Sequence, residues 1–210
     1  MNDNEAVQQL IEQLSNKASA KRRSAAKKLR KLKVKEAGPA LLAALKNELK
    51  DKRTWETQYQ MIMALGESGY TESLDFLLQL AEQEFEATMV YVAIGDAIAR
   101  LTYFKDGSIS NILDFLDSKN GTALFIDGLI RAIAILKLIP SDEDIERIIN
   151  YGNNPEVNDN NRTWIASASA GWSGSNVEHF LNRCAVSDNP QTKRAAEAAL
   201  NKKYPKWDIL

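Results

Sequence analysis

The sequence predicts an all-α protein, built as a right-handed α-solenoid of about six helical pairs. Three observations predict this fold class. Apolar residues recur at helical spacing, short polar breaks separate these stretches, and no convincing run alternates polar and apolar residues as a strand would. The chain has 210 residues, of which 44% are hydrophobic, so it is long enough to bury a sizeable core.

Twelve helices are predicted from these patterns, and twelve helices make six pairs. Breaks such as Gly38-Pro39, Ser68-Gly69 and Asn189-Pro190 carry residues that commonly end or begin helices. The predicted helices lie near residues 4–15, 19–33, 38–50, 54–67, 71–83, 86–104, 108–118, 121–139, 141–151, 160–172, 175–186 and 190–203.

A similar segment returns in the second helix of each pair. One anchor position aligns these segments, and successive anchors lie 31 to 36 residues apart, which suits two short antiparallel helices with their turns. The anchors are Leu29, Leu65, Ile98, Ile133, Ser169 and Leu200. The spacing therefore predicts a repeat protein, and no tetratricopeptide or ankyrin consensus occurs at that period.

The repeated segment resembles the HEAT-repeat family, particularly its shorter HEAT-like repeats, whose second helix carries small residues followed by Ala-Leu-Gly. The stretch 64–66 reads Ala-Leu-Gly, whereas Ala97-Ile98 matches in part and Ala168-Ser169 departs from the pattern. The resemblance covers most of the chain. It implies a single HEAT-like domain over residues 1–210, with second helices that line a concave surface used for binding.

A helical wheel, at about 100° per residue, places two Asp–Arg pairs away from the core. Counted from each anchor, positions −4, −3, 0 and +3 form the apolar stripe, and positions −6, −2 and +2 lie opposite. Asp127 and Arg131 fall on the opposite side, as do Asp96 and Arg100. Such pairs either stabilise an exposed helix by about 0.2–0.5 kcal/mol or form a binding surface.

Aromatic residues extend this predicted binding surface. Trp55, Tyr59 and Met63 follow one another along the second repeat, and Trp164 falls near the same side of the fifth. Tryptophan, tyrosine and arginine often dominate binding energy at interfaces. Packing between neighbouring repeats is the alternative for both Trp55 and Trp164. Trp172 is predicted in the core, and Trp207 is predicted to cover the apolar end of the last repeat.

Charge is strongly segregated along the chain, although the formal net charge is only −1. Residues 17–35 hold ten basic residues and no acid, whereas residues 67–117 hold ten acids and two bases. The basic run predicts a patch that binds phosphates or an acidic protein. The acidic stretch would repel a duplex, so a protein partner is favoured over nucleic acid. The predicted patch consists of Arg22, Arg23, Lys27, Lys28, Arg30 and Lys31.

The sequence gives no support for catalysis, a metal or a cofactor. His179 is the single histidine, and the single cysteine, Cys184, lies about 140° away from it around a helix. No phosphate-binding, zinc-protease or nucleophile-elbow motif occurs. The polar, acidic start lacks the pattern of a signal peptide, and no apolar run is long enough for a membrane helix. We therefore expect a cytoplasmic protein that is not an enzyme.

One enzymatic group of HEAT-like proteins, the alkylpurine DNA glycosylases, remains as an alternative. Their groove uses tryptophans, an aspartate and an arginine, and Asp127, Arg131 and Trp164 are similar in type. In that family a tryptophan precedes the aspartate by one helical turn, but Ala123 stands there in this chain. The alternative is thus a HEAT-like DNA-binding protein related to these enzymes.

Together these features predict a non-enzymatic module that captures or inhibits a partner protein through its concave face. An adaptor, or an immunity protein that inhibits a toxin or another enzyme, would fit this description. The predicted partner-binding residues are Trp55, Tyr59, Met63, Asp96, Arg100, Asp127, Arg131 and Trp164. The sequence does not identify the partner.

Overall fold

A computed structural model describes residues 3–117 and 122–207 of the chain. These residues form eleven α-helices, and none of them lies in a strand, so the predicted all-α class is confirmed. The helices are α1 (Asp3–Gln13), α2 (Ser19–Leu32), α3 (Gly38–Glu48), α4 (Trp55–Ser68), α5 (Leu74–Ala81), α6 (Met89–Asp106), α7 (Ala123–Leu136), α8 (Asp142–Asn153), α9 (Asp159–Ala168), α10 (Ser175–Ala185) and α11 (Pro190–Leu200).

Several of the predicted helices differ from the observed ones in type or length. The stretch predicted near 108–118 is a 3₁₀ helix at Ser110–Leu116. The helix predicted at 160–172 leaves the α conformation after Ala168 and continues as the short 3₁₀ helix Ser169–Gly171. Short 3₁₀ segments are common at helix ends and in connections, and the apolar spacing alone does not distinguish them from α-helices.

The chain forms two compact units, residues 1–107 and residues 108–210. In the first unit, α1 packs on α2, α3 on α4 and α5 on α6, so the helices form three antiparallel pairs. The second helices α2, α4 and α6 lie side by side, with α4 in the middle. Stacked helical pairs of this kind are the repeating element of an α-solenoid, which confirms the predicted architecture of the repeats.

Small residues let the second helices of the first unit approach closely. The anchors Leu65 and Ile98 are fully buried, and so is Ala97. A Cβ atom built on Gly66 would lie only 2.7 Å from the Cα of Ala97 on the neighbouring helix α6. The glycine of the predicted Ala-Leu-Gly motif is therefore needed because the backbones of α4 and α6 nearly touch at this point.

The second unit repeats the arrangement with α7, α9 and α11 side by side. Helix α8 packs on α9, and α10 packs on α11. Its core includes Ile133, Ile148, Phe180 and Trp172, and the Trp172 indole N–H donates to the Leu138 carbonyl at 2.9 Å. The predicted core position of Trp172 is confirmed.

Side-chain caps explain where the helices of the second unit begin. Thr122 accepts a hydrogen bond from the Phe125 amide, Ser141 accepts one from Asp144, and Asn158 accepts one from Asn161. Asn189 caps α11 ahead of Pro190, which occupies the first turn. These residues satisfy amide groups that have no partner within the helix, so each helix starts at a defined residue.

We expect Gly66→Ala to destabilise the protein. Replacing glycine by alanine inside a helix ordinarily stabilises it by about 0.5–1 kcal/mol, but here the new methyl group would push α4 and α6 apart. Overpacking of a core typically costs about 1–3 kcal/mol, so the net free energy of unfolding should fall. Urea denaturation followed by circular dichroism measures the change.

Ser24→Ala in α2 is the control for a change to alanine on a neighbouring second helix, because Ser24 is exposed and the change only replaces its hydroxyl group by hydrogen. Its free energy of unfolding should stay within about 0.5 kcal/mol of the wild-type value. A stabilised Gly66→Ala variant would contradict the close approach of α4 and α6.

Candidate docking surfaces

The predicted binding residues of the first unit are buried, which corrects the expectation that they face solvent. Met63 and Asp96 have no exposed surface, and Tyr59 and Arg100 are also buried. Trp55 differs, since 37% of its surface is exposed at the start of α4. Of the predicted residues in this unit, Trp55 is thus the one that a partner reaches without rearrangement of the helices.

The helical wheel failed at these positions because it assumed one core direction. Helix α4 packs against α3, α2 and α6, so three neighbouring helices cover it and only a narrow strip of its surface is exposed to solvent. Close approach through alanine and glycine narrows that strip further. The Arg30 guanidinium covers part of this exposed strip, since it lies 5.9 Å from the centre of the Tyr59 ring.

Asp96 and Arg100 form an ion pair, but an enclosed one. The Arg100 Nε donates to Asp96 Oδ1 at 2.5 Å, and both side chains are buried. An exposed pair four residues apart contributes about 0.2–0.5 kcal/mol, whereas removing one partner of a buried pair typically costs about 3–5 kcal/mol. The pair therefore contributes chiefly to the packing of α6.

The arginines of the predicted basic patch are occupied by internal ion pairs. Arg22 donates two hydrogen bonds to the buried carboxylate of Glu48, at 2.6 and 2.8 Å. Burial, the largest single effect, raises the pKa of the Glu48 carboxyl. The hydrogen bonds that it accepts, first of all from Arg22, lower the pKa by more in total, so it lies below its usual value. Arg22 therefore joins α2 to the end of α3.

Two further arginines join α2 to α4. Arg23 forms an ion pair with Glu56, and Arg30, itself buried, donates to Glu67 at 2.9 Å. The run of basic residues predicted that all three arginines are available to a partner, whereas Arg22 and Arg30 are held by carboxylates of the same unit. A planar guanidinium suits such a role, because it can hold a carboxylate through two parallel hydrogen bonds.

The lysines of the same helix remain exposed. Lys27, Lys28 and Lys31, here called the lysine face, are solvent-exposed, and none of them pairs with a carboxylate of the described residues. Leu32 beside them is 57% exposed. Of the six residues in the predicted basic patch, these three lysines are thus the exposed ones without an ion-pair partner among the described residues.

In the second unit the structure brings Asp127, Arg131 and Trp164 together. The Arg131 guanidinium lies 5.9 Å from the centre of the Trp164 ring, and both Asp127 and Arg131 are on α7, which packs against α9. Arg131 is buried and Asp127 and Trp164 are partly buried, so the predicted exposure of Arg131 is wrong. Trp164 contacts Arg131 of the neighbouring helix α7 and keeps part of its surface exposed.

Asp127 has an unfavourable environment for a charge. Its Oδ1 atom is buried and has no hydrogen-bond partner. Burial raises the pKa of the Asp127 carboxyl to about 6, and the nearby Arg131 charge and the Trp164 indole only partly oppose this shift. The Asp127 carboxyl therefore takes up a proton at a higher pH than an ordinary aspartate does, with its midpoint at about pH 6.

A polar network adjoins Asp127 on the neighbouring helices. The Asn161 amide donates to the Tyr151 hydroxyl at 2.9 Å and to the Ala123 carbonyl at 3.3 Å. Burial raises the pKa of Tyr151, and the Asp127 charge adds to that shift. Neither Tyr151 nor Asn161 was singled out from the sequence, because the contacts that unite them join three different helices.

The segment after α11 lies across the second helices of this unit. The rings of Trp207 and Trp164 meet edge to face with centres 5.3 Å apart, and the Arg194 guanidinium lies 5.9 Å from the Trp207 ring. Trp207 therefore covers Trp164, whereas the sequence predicted that it covers the end of the last repeat. Tyr204 was not predicted as a contact residue, although Tyr204 and Trp207 are two aromatic residues only three positions apart in the stretch Tyr-Pro-Lys-Trp after the last helix.

Titratable groups elsewhere do not gather into a metal-binding cluster in the part of the chain that the structure describes. Cys184 is buried, and burial raises its pKa to about 11. No helix within residues 3–117 and 122–207 combines the length and the apolar character that a membrane crossing needs.

We expect Asp127→Asn to stabilise the protein at neutral pH. The folded chain binds a proton at Asp127 more tightly than the unfolded chain does, because the folded pKa of about 6 lies above the ordinary value of 3.8. The charged form thus opposes folding, and wild-type stability should fall relative to the variant as pH rises from 4 to 7. The difference should reach about 1–3 kcal/mol in urea denaturation at a series of pH values.

Trp164→Phe provides the second arm of this measurement, since it keeps a ring but removes an indole that favours the charged carboxylate. Its stability should fall more steeply than that of wild type over the same pH range. If the free energy of unfolding of Asp127→Asn changed with pH in the same way as that of wild type from pH 4 to 7.5, the raised pKa of Asp127 would be contradicted.

Comparison with known proteins gives one family match. Residues 21–47, which span most of α2 and α3, match the PBS lyase HEAT-like repeat. No curated protein matches the chain. Among solved structures, human deoxyhypusine hydroxylase in complex with glycerol is 14% identical, with 94% of this chain and 84% of that chain covered and a TM-score of 0.41. A designed armadillo repeat protein is 20% identical, with 92% and 98% covered and a TM-score of 0.45.

Neither structural likeness assigns a function at these values. The family match falls on the helix whose Ala25-Ala26 and Leu29 carry part of the repeated motif, and the packing of α2, α4 and α6 shows that motif in use. The chain therefore carries a HEAT-like repeat, and the predicted resemblance to the HEAT-like repeat family is confirmed.

Proposed function

We propose that this chain is a non-enzymatic protein-binding module whose docking surface in the first unit combines the lysine face of α2 with Trp55. HEAT-like repeats commonly serve as scaffolds for protein interactions. The observation that carries the proposal is the different use of arginine and lysine on α2. Arg22, Arg23 and Arg30 are held by carboxylates of the next helices, while Lys27, Lys28 and Lys31 are left for an outside partner.

The chemistry of this surface suits an acidic protein that also presents an apolar residue. Trp55 is exposed at the start of α4, next to Glu56, which pairs with Arg23 of α2. Met89 is similarly exposed at the start of α6, the helix beside α4. Large apolar side chains supply binding energy, while neighbouring charges speed association and select the partner.

Rigid helices make the surface suitable for capture. Arg22, Arg23 and Arg30 fix α2 against its neighbours, so little conformational entropy is lost when a partner binds to the lysines. Capture by a preorganised surface serves an adaptor and an inhibitor equally well. An immunity protein that inhibits a toxin is the inhibitor form of this proposal.

The experiment compares affinity capture by wild type with capture by the triple variant Lys27→Glu, Lys28→Glu and Lys31→Glu. A partner that docks on the lysine face should be retained by wild type and lost from the variant, because opposite charges would become like charges. Retained proteins are identified by mass spectrometry, and the affinity of the identified partner is then measured by calorimetry. We expect a loss of at least about a hundredfold, or roughly 3 kcal/mol.

The matched control places the same charge change elsewhere, as Lys105→Glu, Arg183→Glu and Lys193→Glu. These three residues are exposed and lie outside both α2 and residues 203–207, so capture should equal that of wild type. Equal losses in both triple variants would indicate a general effect of net charge and would reject the lysine face as the docking surface.

Nucleic acid is the second candidate, because exposed lysines also attract phosphates. The first unit also carries exposed acidic residues, which would repel the phosphates of a nucleic acid: Glu72, Asp75, Glu82, Glu84 and Glu86. Binding of a short DNA duplex is measured at several salt concentrations. We expect no binding at physiological salt. Tight binding that weakens steeply with salt and disappears in the lysine-face variant would favour the nucleic-acid function instead.

A further inference from the structure

The segment 203–207 has no helical structure and lies against the second helices of the second unit. Lys137, at the end of α7, places its Nζ 4.9 Å from the centre of the Tyr204 ring. A Cβ atom built on Gly171 would clash with the Tyr204 hydroxyl, so the ring reaches the end of the α9 region as well. Tyr204 thus spans the ends of two neighbouring second helices.

Trp207 occupies a slot made of one ring and one cation. Trp164 of α9 meets it edge to face at 5.3 Å, and Arg194 of α11 lies 5.9 Å from it. Arg131 of α7 lies 5.9 Å from Trp164. Three second helices therefore contribute alternating guanidinium and aromatic groups, an arrangement that favours binding of aromatic rings.

The fit of this segment to the helices is incomplete. Trp207 Nε1 is buried and has no hydrogen-bond partner, so the slot contacts the ring but leaves the indole N–H unsatisfied. An open pocket of about 120 Å³ adjoins the segment, lined by Ala134, Ile135 and Ser167 together with Pro205 and Trp207. A well-packed core leaves few donors unsatisfied, so the contact has the character of a displaceable interface.

We propose that an extended segment of a partner protein binds in the slot formed by Trp164, Arg131 and Arg194, with a second aromatic ring over Lys137. Residues 203–207 occupy this slot and compete with the partner segment, so they are called the resident segment. The partner segment would carry two aromatic residues three positions apart, as Tyr204 and Trp207 are. This inference rests on the protein-binding function proposed above and adds a docking site on residues 108–210.

Covalent attachment gives the resident segment a large advantage. A segment tethered a few residues from its site has an effective concentration of roughly millimolar, so an outside segment of equal intrinsic affinity competes poorly. Binding of a partner would therefore require either a better fit, for instance an aromatic ring that buries no unsatisfied donor, or release of residues 203–207. Regulation of partner capture follows from this competition.

The test uses the full chain with Tyr204→Ala and Trp207→Ala combined, which removes both rings from the resident segment. The probe is a fluorescent peptide of residues 201–207, and its binding is measured by fluorescence anisotropy. We expect the double variant to bind the peptide at least about tenfold more tightly than wild type does. Adding Arg194→Ala should weaken that binding about two- to fivefold, since Arg194 is exposed and contributes through the Trp207 ring.

Lys206→Ala is the matched control, because Lys206 is exposed within the same segment. It should bind the peptide as poorly as wild type does. Equal peptide binding by the double variant and wild type, with helicity retained, would overturn the proposal. A double variant that loses cooperative melting, or melts more than about 10 °C lower, would also overturn it, because residues 203–207 would then belong to the folded core.

The peptide measurement needs no natural partner, so it separates this inference from the function proposed for the lysine face. A failed peptide test with successful lysine-dependent capture would remove only the slot. Successful peptide binding without lysine-dependent capture would keep the slot and reject the lysine face.

Discussion

Close packing between second helices is the constraint on which the other features of this chain depend. In the first unit the backbones of α4 and α6 nearly touch at Gly66 and Ala97, and α2 packs on the other side of α4. Because each middle helix has neighbours on three sides, residues that a wheel places opposite the core become buried. Met63 on α4 is an example. The exposed residues available to a partner are therefore those on the solvent side of α2 and those at the starts of α4 and α6.

The same packing separates arginine from lysine. A guanidinium close to the neighbouring helix meets a carboxylate there, as Arg30 meets Glu67, and is stabilised by a charge-assisted hydrogen bond in a partly dry site. A lysine ammonium is more strongly hydrated and loses more on burial, so Lys27 and Lys31 stay in water. One basic helix therefore contributes both to the fold, through its arginines, and to the proposed docking surface, through its lysines.

Two Asp–Arg pairs with the same spacing illustrate how context decides the role of a motif. On α6, Arg100 donates directly to Asp96, and the two charges stabilise each other away from water. On α7, Arg131 lies over the Trp164 ring, and Asp127 is left with a buried oxygen that has no partner. The first pair is an internal ion pair, whereas the second leaves a carboxyl group whose protonation changes near neutral pH.

The sequence by itself determined the all-α class, most of the helix positions, the repeat spacing and the buried position of Trp172. These follow from local periodicity, capping residues and turn residues, which act over a few positions of the chain. The tertiary structure decided which polar residues are exposed, that Arg22 and Arg30 bind carboxylates, and that Trp207 covers Trp164. Those outcomes depend on residues about 26 to 43 positions apart, whose distance in space is set by how closely the helices pack and not by the pattern within any one helix.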